Sequence, residues 1–331
     1  MSLSPRTDET GLRLSAMLRT AFRGGVRDAL EDPATIEIMA NPDGSVWIEQ
    51  AATGITLSRF CLTAPDRERI IRLVASSLPG CDLQAMPVVS AELPGSGERF
   101  EGLLPPVSTG PCFSIRKAPA AEFTLDRFVA EGVIAPNTAL ALRASVAGRA
   151  NILIAGGTSS GKTTLANALL REEALARDRI VILEDTRELL TTAANTLRLR
   201  TLAGTANLQQ LVRSTLRLRP DRIIVGEVRG GEALDLLKAW NTGHPGGITT
   251  LHASSAEGAL RRLEQLTTEV TREPPRELIG EAIDVVVFMS RAGGTRRVEE
   301  ALRVTGSDGA RYLTAPLTAP RPALVNSGDL S

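Results

Sequence analysis

The first third of the chain mixes helical and strand-like hydrophobic spacing. Apolar residues recur at helical intervals over Leu12–Leu30 and Pro65–Leu78, which predicts two amphipathic helices. Short apolar runs bounded by Gly, Pro, Asn and Asp predict strands. They lie at Ile36–Ala40, Val46–Glu49, Val88–Leu93, Arg99–Leu104 and Cys112–Arg116. We therefore expect a small α+β domain over residues 1–120.

After about residue 137 the chain changes to an alternation of strands and helices. Wholly apolar strands are predicted at Ile152–Ala155, Ile180–Leu183, Ile223–Val225, Ile248–Leu251 and Val285–Met289. The helices between them are predicted at Lys162–Arg177, Leu208–Leu218, Glu232–Trp240 and Glu257–Thr267. Strands that are apolar on both faces are typical of a parallel sheet with helices on both sides. The pattern thus predicts an α/β domain over residues 138–305.

Two segments outside these domains lack strong periodicity. Residues 121–137 are predicted to be a linker that contains a helix near Leu125–Glu131. Residues 306–331 are rich in Thr, Ala, Pro and Gly, and we expect them to form a flexible tail.

The composition of the 331-residue chain is that of a folded protein of about two domains, with 43% apolar and 23% charged residues. No apolar stretch approaches the roughly 20 residues that cross a bilayer, and the charged first residues predict no secretory signal. The three cysteines (Cys61, Cys81 and Cys112) form no CxxC pair, so we expect them to be buried in a protein of a reducing compartment. A cytoplasmic location is therefore predicted.

The numbers of charged and aromatic residues bear on whether the protein binds nucleic acid. Basic and acidic residues number 38 each, and only 10 residues are aromatic, so neither charge nor stacking residues favour a nucleic-acid binder. Lysine occurs only three times, at Lys117, Lys162 and Lys238, while the other 35 basic residues are arginines. A lysine in such a chain suggests a place where a compact point charge is needed.

One of these lysines lies in a glycine-rich segment that follows an apolar strand and precedes a helical pattern. The segment fits G-x-x-x-x-G-K-[ST] over Gly156, Gly157, Thr158, Ser159, Ser160, Gly161, Lys162 and Thr163, with Thr164 following. Backbone N–H groups of such a loop surround phosphate oxygens, the lysine contacts the β- and γ-phosphates, and the Thr163 hydroxyl is suited to Mg²⁺. A chance glycine-rich turn is the alternative, but the flanking elements favour a site for ATP and Mg²⁺.

Acidic residues end the next two apolar strands, and carboxylates there point toward the ligand crevice of a parallel sheet. Glu184 and Asp185 follow the first strand, where the alternative is a helix cap or a solvated corner. Glu227 follows Gly226 at the end of the second, where the alternative is a simple strand-end cap. We assign Glu227 to polarising the attacking water, and Mg²⁺ to Thr163, the phosphates and water-mediated carboxylates that include Glu184.

The only two histidines, His244 and His252, flank another predicted strand. Two histidines without partnering cysteines do not make a structural zinc site. An ordinary core histidine is the alternative for each. His252 comes at the carboxyl end of the strand, so we expect it to donate to the γ-phosphate.

The four segments together resemble the secretion ATPase superfamily of type II secretion, type IV secretion and type IV pili. The corresponding motifs are Gly156–Thr163 (phosphate loop), Ile182–Glu188 (Asp box), Arg219–Arg229 (Gly-Glu Walker B) and Gly243–Ala253 (His box). Gly97–Val107 and Cys112–Lys117 are similar to the N-terminal domain of TrbB-type conjugal-transfer ATPases.

The resemblance implies a sensory or PAS-like N-terminal domain over residues 1–120 and a RecA-like P-loop domain after it. The resemblance further implies a homohexameric ring and nucleotide bound between the two domains of a protomer. It also implies that Arg99 and Arg116 act near the phosphates, whereas the ordinary alternative for each is a surface ion pair. Arg217, Arg219 and Arg229 are further candidates that the sequence does not rank.

The function that follows is ATP hydrolysis energising conjugal DNA transfer or type IV secretion through nucleotide-driven domain motion. We expect inner-membrane and channel components as partners, peripheral attachment to the inner membrane through them, and no direct nucleic-acid binding. A type IV pilus retraction or assembly motor is the nearest alternative. A RecA-like nucleic-acid translocase and a nucleotide-gated scaffold are more distant ones.

Overall fold

A computed structural model describes residues 6–22, 24–50, 52–78, 80–117, 123–202, 204–292 and 295–318. The chain divides into two compact units, an N-terminal unit of residues 1–121 and a C-terminal unit of residues 122–331. Each has its own hydrophobic core.

The N-terminal unit is an antiparallel sheet with helices against one face. Its helices are α1 (Arg6–Ala21), α2 (Gly25–Glu31) and α3 (Ala64–Ala75). Its strands are β1 (Thr35–Ala40), β2 (Ser45–Gln50), β3 (Gly54–Cys61), β4 (Val88–Glu92), β5 (Arg99–Leu103) and β6 (Cys112–Arg116), in the order β3-β2-β1-β6-β5-β4. Ile38, Ile115 and Phe100 pair across β1, β6 and β5 and are fully buried. This row of side chains forms the core face, so the residues next to them in sequence lie on the opposite face.

The five strands predicted for this unit are confirmed, but the prediction of one helix over Leu12–Leu30 is wrong. The helix ends at Ala21, and a second begins at Gly25. Gly24 has a φ of 48°, which few other residues tolerate. A Cβ on Gly25 would lie within 2.1 Å of the Phe60 ring, so the chain needs a glycine to pass this strand. The spacing of apolar residues continues across the break, which is why periodicity alone missed it.

The C-terminal unit is a mainly parallel sheet between two layers of helices. Its helices are α4 (Leu125–Ala130), α5 (Pro136–Ala147), α6 (Lys162–Leu169), α7 (Leu208–Thr215), α8 (Glu232–Asn241), α9 (Ala256–Thr267) and α10 (Arg276–Ala282), with a short 3₁₀ turn at Glu173–Leu175. Its strands are β7 (Ile152–Gly156), β8 (Ile180–Glu184), β9 (Thr196–Arg200), β10 (Arg222–Val225), β11 (Ile248–Leu251), β12 (Val285–Ala292), β13 (Thr295–Ser307) and β14 (Tyr312–Pro316).

The strand order is β14-β13-β12-β7-β11-β10-β8-β9. The six strands from β12 to β9 are parallel, and β13 and β14 are added antiparallel at one edge. One core cluster includes α4, α5 and α6, and the other includes α7 to α10. Because the carboxyl ends of β7, β8, β10 and β11 lie at one edge, the four motifs of the sequence meet there.

Three sequence predictions for this unit need correction. The linker over residues 121–137 is wrong for its described part, because Leu125, Phe128 and Ile134 are buried in the core. The flexible tail is wrong as far as Leu317, since β14 pairs with β13 and Leu317 is buried; residues 319–331 lie outside the described part. The helix over Lys162–Arg177 ends at Leu169, after only eight residues.

The cysteines are not the buried residues that the sequence predicts. Cys61 is exposed and the other two are half-buried, all as free thiols. Cys61 ends β3, an edge strand whose outward side chains have no neighbour sheet to cover them. In the described residues, every helix is too short or too polar to cross a membrane.

Candidate active site

The glycine-rich loop joins β7 to α6 at the edge where the motifs meet. Ser159 has a φ of 58° and Gly161 a φ of 99°, so the backbone turns tightly before the helix begins at Lys162. A Cβ on Gly156 would lie 2.3 Å from the Met289 carbonyl oxygen. Glycine is therefore required where the loop passes the end of β12. The structure brings Gly156 to Thr164 together in this one turn, as the sequence predicts.

Lys162 is folded back onto the loop that precedes it. Its side chain is 7% exposed, and Nζ donates to the carbonyl oxygens of Gly156 at 3.0 Å and Gly157 at 2.8 Å. Ser160 Oγ also donates to the Gly157 oxygen, at 2.9 Å. A buried ammonium held by carbonyl oxygens can exchange them for the more strongly accepting oxygens of a phosphate. The loop therefore has the charge and donors of a phosphate site.

The residues at the loop suit Mg²⁺ more than a softer metal. Thr163, half-buried at the first turn of α6, offers a neutral hydroxyl oxygen. Among the described residues, no group of three or more His, Cys, Asp or Glu side chains is arranged to hold a metal. Mg²⁺ is commonly held by one or two protein oxygens together with phosphates and water, which fits this donor set.

Glu227 lies just beyond β10, between two neighbouring strands. Gly226 N–H donates to the Leu183 oxygen at 2.8 Å, and Val228 N–H donates to the Thr250 oxygen at 3.0 Å. Thr250 Oγ1 donates to the Gly226 oxygen at 2.7 Å, which closes the segment onto β11. These bonds fix the backbone on both sides of Glu227.

The two carboxylate oxygens of Glu227 have different surroundings. Oε2 accepts from Arg229 Nη2 at 2.6 Å and Nε at 2.9 Å, and Arg229 also reaches Asp185 Oδ2 at 3.3 Å. Oε1 is buried and accepts no hydrogen bond from the described residues, although His252 Nε2 lies 3.0 Å away. One oxygen is thus held by a cation, while the other is buried beside the His252 imidazole.

Glu184 lies beside Gly226, the residue before Glu227, but its carboxylate faces the protein backbone. Oε1 accepts from the N–H groups of Glu188 and Leu189 at 2.8 and 2.7 Å, and Oε2 is 3.7 Å from Arg198. Burial raises the pKa of the Glu184 carboxyl, and the two N–H groups oppose that rise. The carboxylate therefore holds the turn after β8, so a water-mediated role at Mg²⁺ has no support from this arrangement.

The two histidines lie at opposite ends of β11. His252 is half exposed at the carboxyl end, and burial together with the charge of Lys162 lowers the pKa of its imidazole. A neutral imidazole at neutral pH follows, with one N–H available for donation. His244, before the strand, is half-buried, and its Nδ1 finds no hydrogen-bond partner in the described parts of the chain. The structure thus places His252 near Glu227, and gives no such placement for His244.

Arg99 and Arg116 belong to the N-terminal unit, where they are register partners on β5 and β6. Glu37 on β1 is the next residue in the row beyond Arg116, and Glu92 on β4 is the next beyond Arg99. The four lie on the face opposite the core. The family resemblance implies that both arginines act near the phosphates, and the sheet places the two residues next to each other.

Two residues that were not among the predicted site residues, Asn151 and Arg222, hold the loop before β11. Asn151 Oδ1 accepts from Gly246 N–H at 2.8 Å and Gly247 N–H at 2.9 Å, and its Nδ2 donates to the Ala282 oxygen at 2.8 Å. Arg222, 2% exposed, pairs with Asp178 and donates to the Gly246 oxygen. A polar residue beside a wholly apolar strand was the only available signal for Asn151, and an arginine directly before an apolar strand was the only one for Arg222.

Comparison with known proteins shows which family the chain resembles. The model of the Type II/IV secretion system protein family matches residues 89–292. Conjugal transfer protein TrbB of Rhizobium radiobacter is 48% identical over 304 residues, which cover 91% of this chain and 94% of that protein. Type IV secretion system protein PtlH of Bordetella pertussis is 35% identical over 298 residues, covering 78% of this chain and 86% of that protein.

Solved structures support the fold. The Legionella pneumophila ATPase DotB matches with a TM-score of 0.55 and 19% identity, over 92% of this chain and 81% of that one. The pilus retraction motor PilT with bound ADP matches with a TM-score of 0.61 and 18% identity, over 93% and 84%. At these identities the likeness concerns the mixed α/β fold alone. The family match covers more than half of the chain, and the TrbB relative covers 91% of it at 48% identity, so this protein belongs to the Type II/IV secretion system protein family.

Proposed function

We propose that this protein is an ATP hydrolase that energises conjugal DNA transfer or type IV secretion, and that its C-terminal unit is a RecA-like P-loop domain. The observation that carries the proposal is the pairing of two groups at one edge of the sheet. Lys162 is held by exchangeable carbonyl partners, and Glu227 has one carboxylate oxygen held by Arg229 and the other beside the His252 imidazole. Lys162 suits a polyphosphate, and a carboxylate held in one orientation suits the polarisation of a water molecule.

Binding of the nucleotide begins at the loop. The Lys162 ammonium leaves the carbonyl oxygens of Gly156 and Gly157 for the β- and γ-phosphates, while N–H groups at the start of α6 bind the same oxygens. Thr163 would hold Mg²⁺ through its hydroxyl, and the ion neutralises phosphate charge when bound.

Hydrolysis uses the carboxylate of Glu227. Its Oε1 accepts a hydrogen bond from water and orients the water for attack on the γ-phosphorus. The new bond joins the water oxygen to phosphorus, the bond to the β–γ bridging oxygen breaks, and the water proton passes to the solvent or to phosphate. The lowered pKa of His252 supports a neutral imidazole that donates its one N–H to the γ-phosphate and loses this hydrogen bond when the phosphate departs.

The link between ATP hydrolysis and secretion is inferred from the relatives of this chain. A conjugal transfer protein at 48% identity supports conjugation or type IV secretion over a pilus motor, for which the likeness is one of fold. We propose a homohexamer in the cytoplasm that attaches to the inner membrane through channel components. Domain motion that follows nucleotide binding and phosphate release would then act on those components.

Phosphate release by the purified protein tests the chemistry. Wild type should hydrolyse ATP only with Mg²⁺. Glu227→Gln should bind ATP as wild type does and lose about 100-fold or more in turnover, because the attacking water is no longer held in position. Lys162→Ala should lose ATP binding, and Lys238→Ala, an exposed lysine on α8, should behave as wild type. Full turnover by Glu227→Gln would refute the role given to the carboxylate.

A mating assay tests the link to transfer. In a donor strain that lacks the native gene, wild type should restore DNA transfer and Glu227→Gln should not. Normal transfer supported by Glu227→Gln would instead favour a scaffold whose nucleotide only gates assembly.

A further inference from the structure

Met289 on β12 and Arg296 on β13 lie against the phosphate loop, on the flank opposite Glu227. β12 pairs in parallel with β7, and the register sets Met289 against Gly156. On the other side of β7 come β11 and then β10, which lead to His252 and Glu227. The loop therefore has one flank with the hydrolytic residues and another formed by these two strands.

Arg296 extends from this second flank toward the start of α6. In the antiparallel register of β12 and β13, Arg296 lies opposite Arg291. A Cβ built on Gly161 would lie 3.2 Å from Arg296 Cδ and 3.8 Å from Arg296 Nε. The Met289 methyl carbon would be 3.3 Å from the same point. The arginine stem and the methionine thus cover the residue that opens the helix, and the guanidinium begins within about 4 Å of the loop.

The charge at this position is informative. Lys162 and the amino end of α6 already make the loop positive, because helix N-termini carry about half a positive charge. Placing a guanidinium there adds to the positive potential. Binding of a polyphosphate stabilises this group of positive charges. Arginine is the side chain best suited to donate hydrogen bonds to two phosphate oxygens at once.

We propose that Arg296 is a nucleotide-binding residue whose guanidinium contacts the α- and β-phosphates. The inference rests on the proposed function, since the hydrolysis site at Glu227 places the γ-phosphate on the β10 and β11 flank. The nucleoside end then leaves the loop on the flank of β12 and β13. Lys162 then contacts the β- and γ-phosphates, and Arg296 contacts the α- and β-phosphates.

Binding measurements on the full chain test this role. Arg296→Ala should weaken ATP and ADP alike by about tenfold, and should weaken inorganic tripolyphosphate to a similar degree. The KM for ATP should rise by a similar factor, because a contact shared by the ground and transition states affects affinity more than rate. Arg297→Ala is the matched control, since its exposed side chain lies on the other face of β13.

The outcomes separate this inference from the proposed function. Wild-type affinities in Arg296→Ala, with a melting temperature equal to that of Arg297→Ala, would overturn the role of Arg296 and leave the ATPase standing. Weaker ATP binding with unchanged tripolyphosphate binding would also overturn it, because the contact would then be to the nucleoside. If wild type itself bound neither ATP nor tripolyphosphate, the proposed function and this inference would both fail.

Discussion

Arg229 and Glu227 form the tightest charged contact at the candidate site. The guanidinium binds Oε2 through two nitrogens and also reaches Asp185, so the carboxylate is held in one orientation. Oε1 is left facing away from the arginine. In this arrangement Arg229 is a positioning residue, since it acts through the carboxylate and the structure gives it no direct role on the reacting atoms.

Replacing Arg229 tests that role. Arg229→Gln should lower turnover by about tenfold to a hundredfold, because a carboxylate free to rotate spends less time aimed at the water. Nucleotide affinity should stay as in wild type, since the loop is untouched. Phosphate-release kinetics and a direct binding titration would separate the two effects.

Arg213→Gln provides the control for this experiment. Arg213 also forms a two-nitrogen pair with one carboxylate, Asp235, and is similarly exposed. Its removal should change neither turnover nor affinity. Equal losses in both variants would mean that arginine pairs matter here only for general stability.

At the residue scale the spacing of the motifs predicted part of the site. The phosphate loop and Glu227 were predictable because their geometry follows from a strand, a turn and a helix in fixed order. The orientation of Glu184 was not, since it depends on which backbone N–H groups the following turn presents. Arg296 carried no sequence signal, because its position follows from a strand pairing that joins distant segments.

At the scale of elements, the interior of the C-terminal sheet was predictable and its edges were not. Inner strands are apolar on both faces and therefore stand out in the sequence. The edge strand β9 reads Thr-Leu-Arg-Leu-Arg, an alternation that marks one covered and one open face. β13 mixes charged and apolar residues and β14 has only five residues, so neither strand has the wholly apolar run that marks the inner strands.

Asn151 connects the elements beneath the candidate site. It lies next to β7, binds the two N–H groups before β11 and donates to the last residue of α10. Asn151→Ala should lower the free energy of unfolding by about 3 kcal/mol, because it leaves two buried N–H groups and one carbonyl without partners. Urea denaturation followed by circular dichroism measures this change.

Asn195→Ala is a suitable comparison for Asn151→Ala. Its exposed side chain accepts a single hydrogen bond, from Arg179, so its loss should cost less than about 0.5 kcal/mol. A small loss in Asn151→Ala, matching that of Asn195→Ala, would show that water replaces the lost bonds and that Asn151 is not structurally required.

At the scale of the whole molecule, each unit contains one of the two tryptophans. Trp47 lies on β2 of the N-terminal sheet, and Trp240 on α8 is 2% exposed and donates to the Ile223 oxygen at 3.0 Å. Trp240→Phe therefore leaves a reporter of the N-terminal unit, and Trp47→Phe leaves a reporter of the C-terminal unit. Thermal unfolding followed by fluorescence can then be read for each unit separately.

These reporters test the role that family resemblance gives to Arg99 and Arg116. In a Glu227→Gln background, saturating ATP should raise the melting temperature seen by Trp240 by several degrees, since 100-fold excess over Kd adds about 2.7 kcal/mol. If the two arginines act on the phosphates, the Trp47 transition should rise as well. Arg116→Ala should then abolish the Trp47 shift alone, whereas Lys162→Ala should abolish both.

Arg59→Ala, an exposed arginine on β3, is the control within the same unit and should leave both shifts intact. A Trp47 transition that ATP does not move, beside a Trp240 transition that it does, would contradict the phosphate role of Arg99 and Arg116. Their place in one row with Glu37 and Glu92 would then be explained by charge pairing across the sheet, which stabilises the N-terminal unit without any nucleotide.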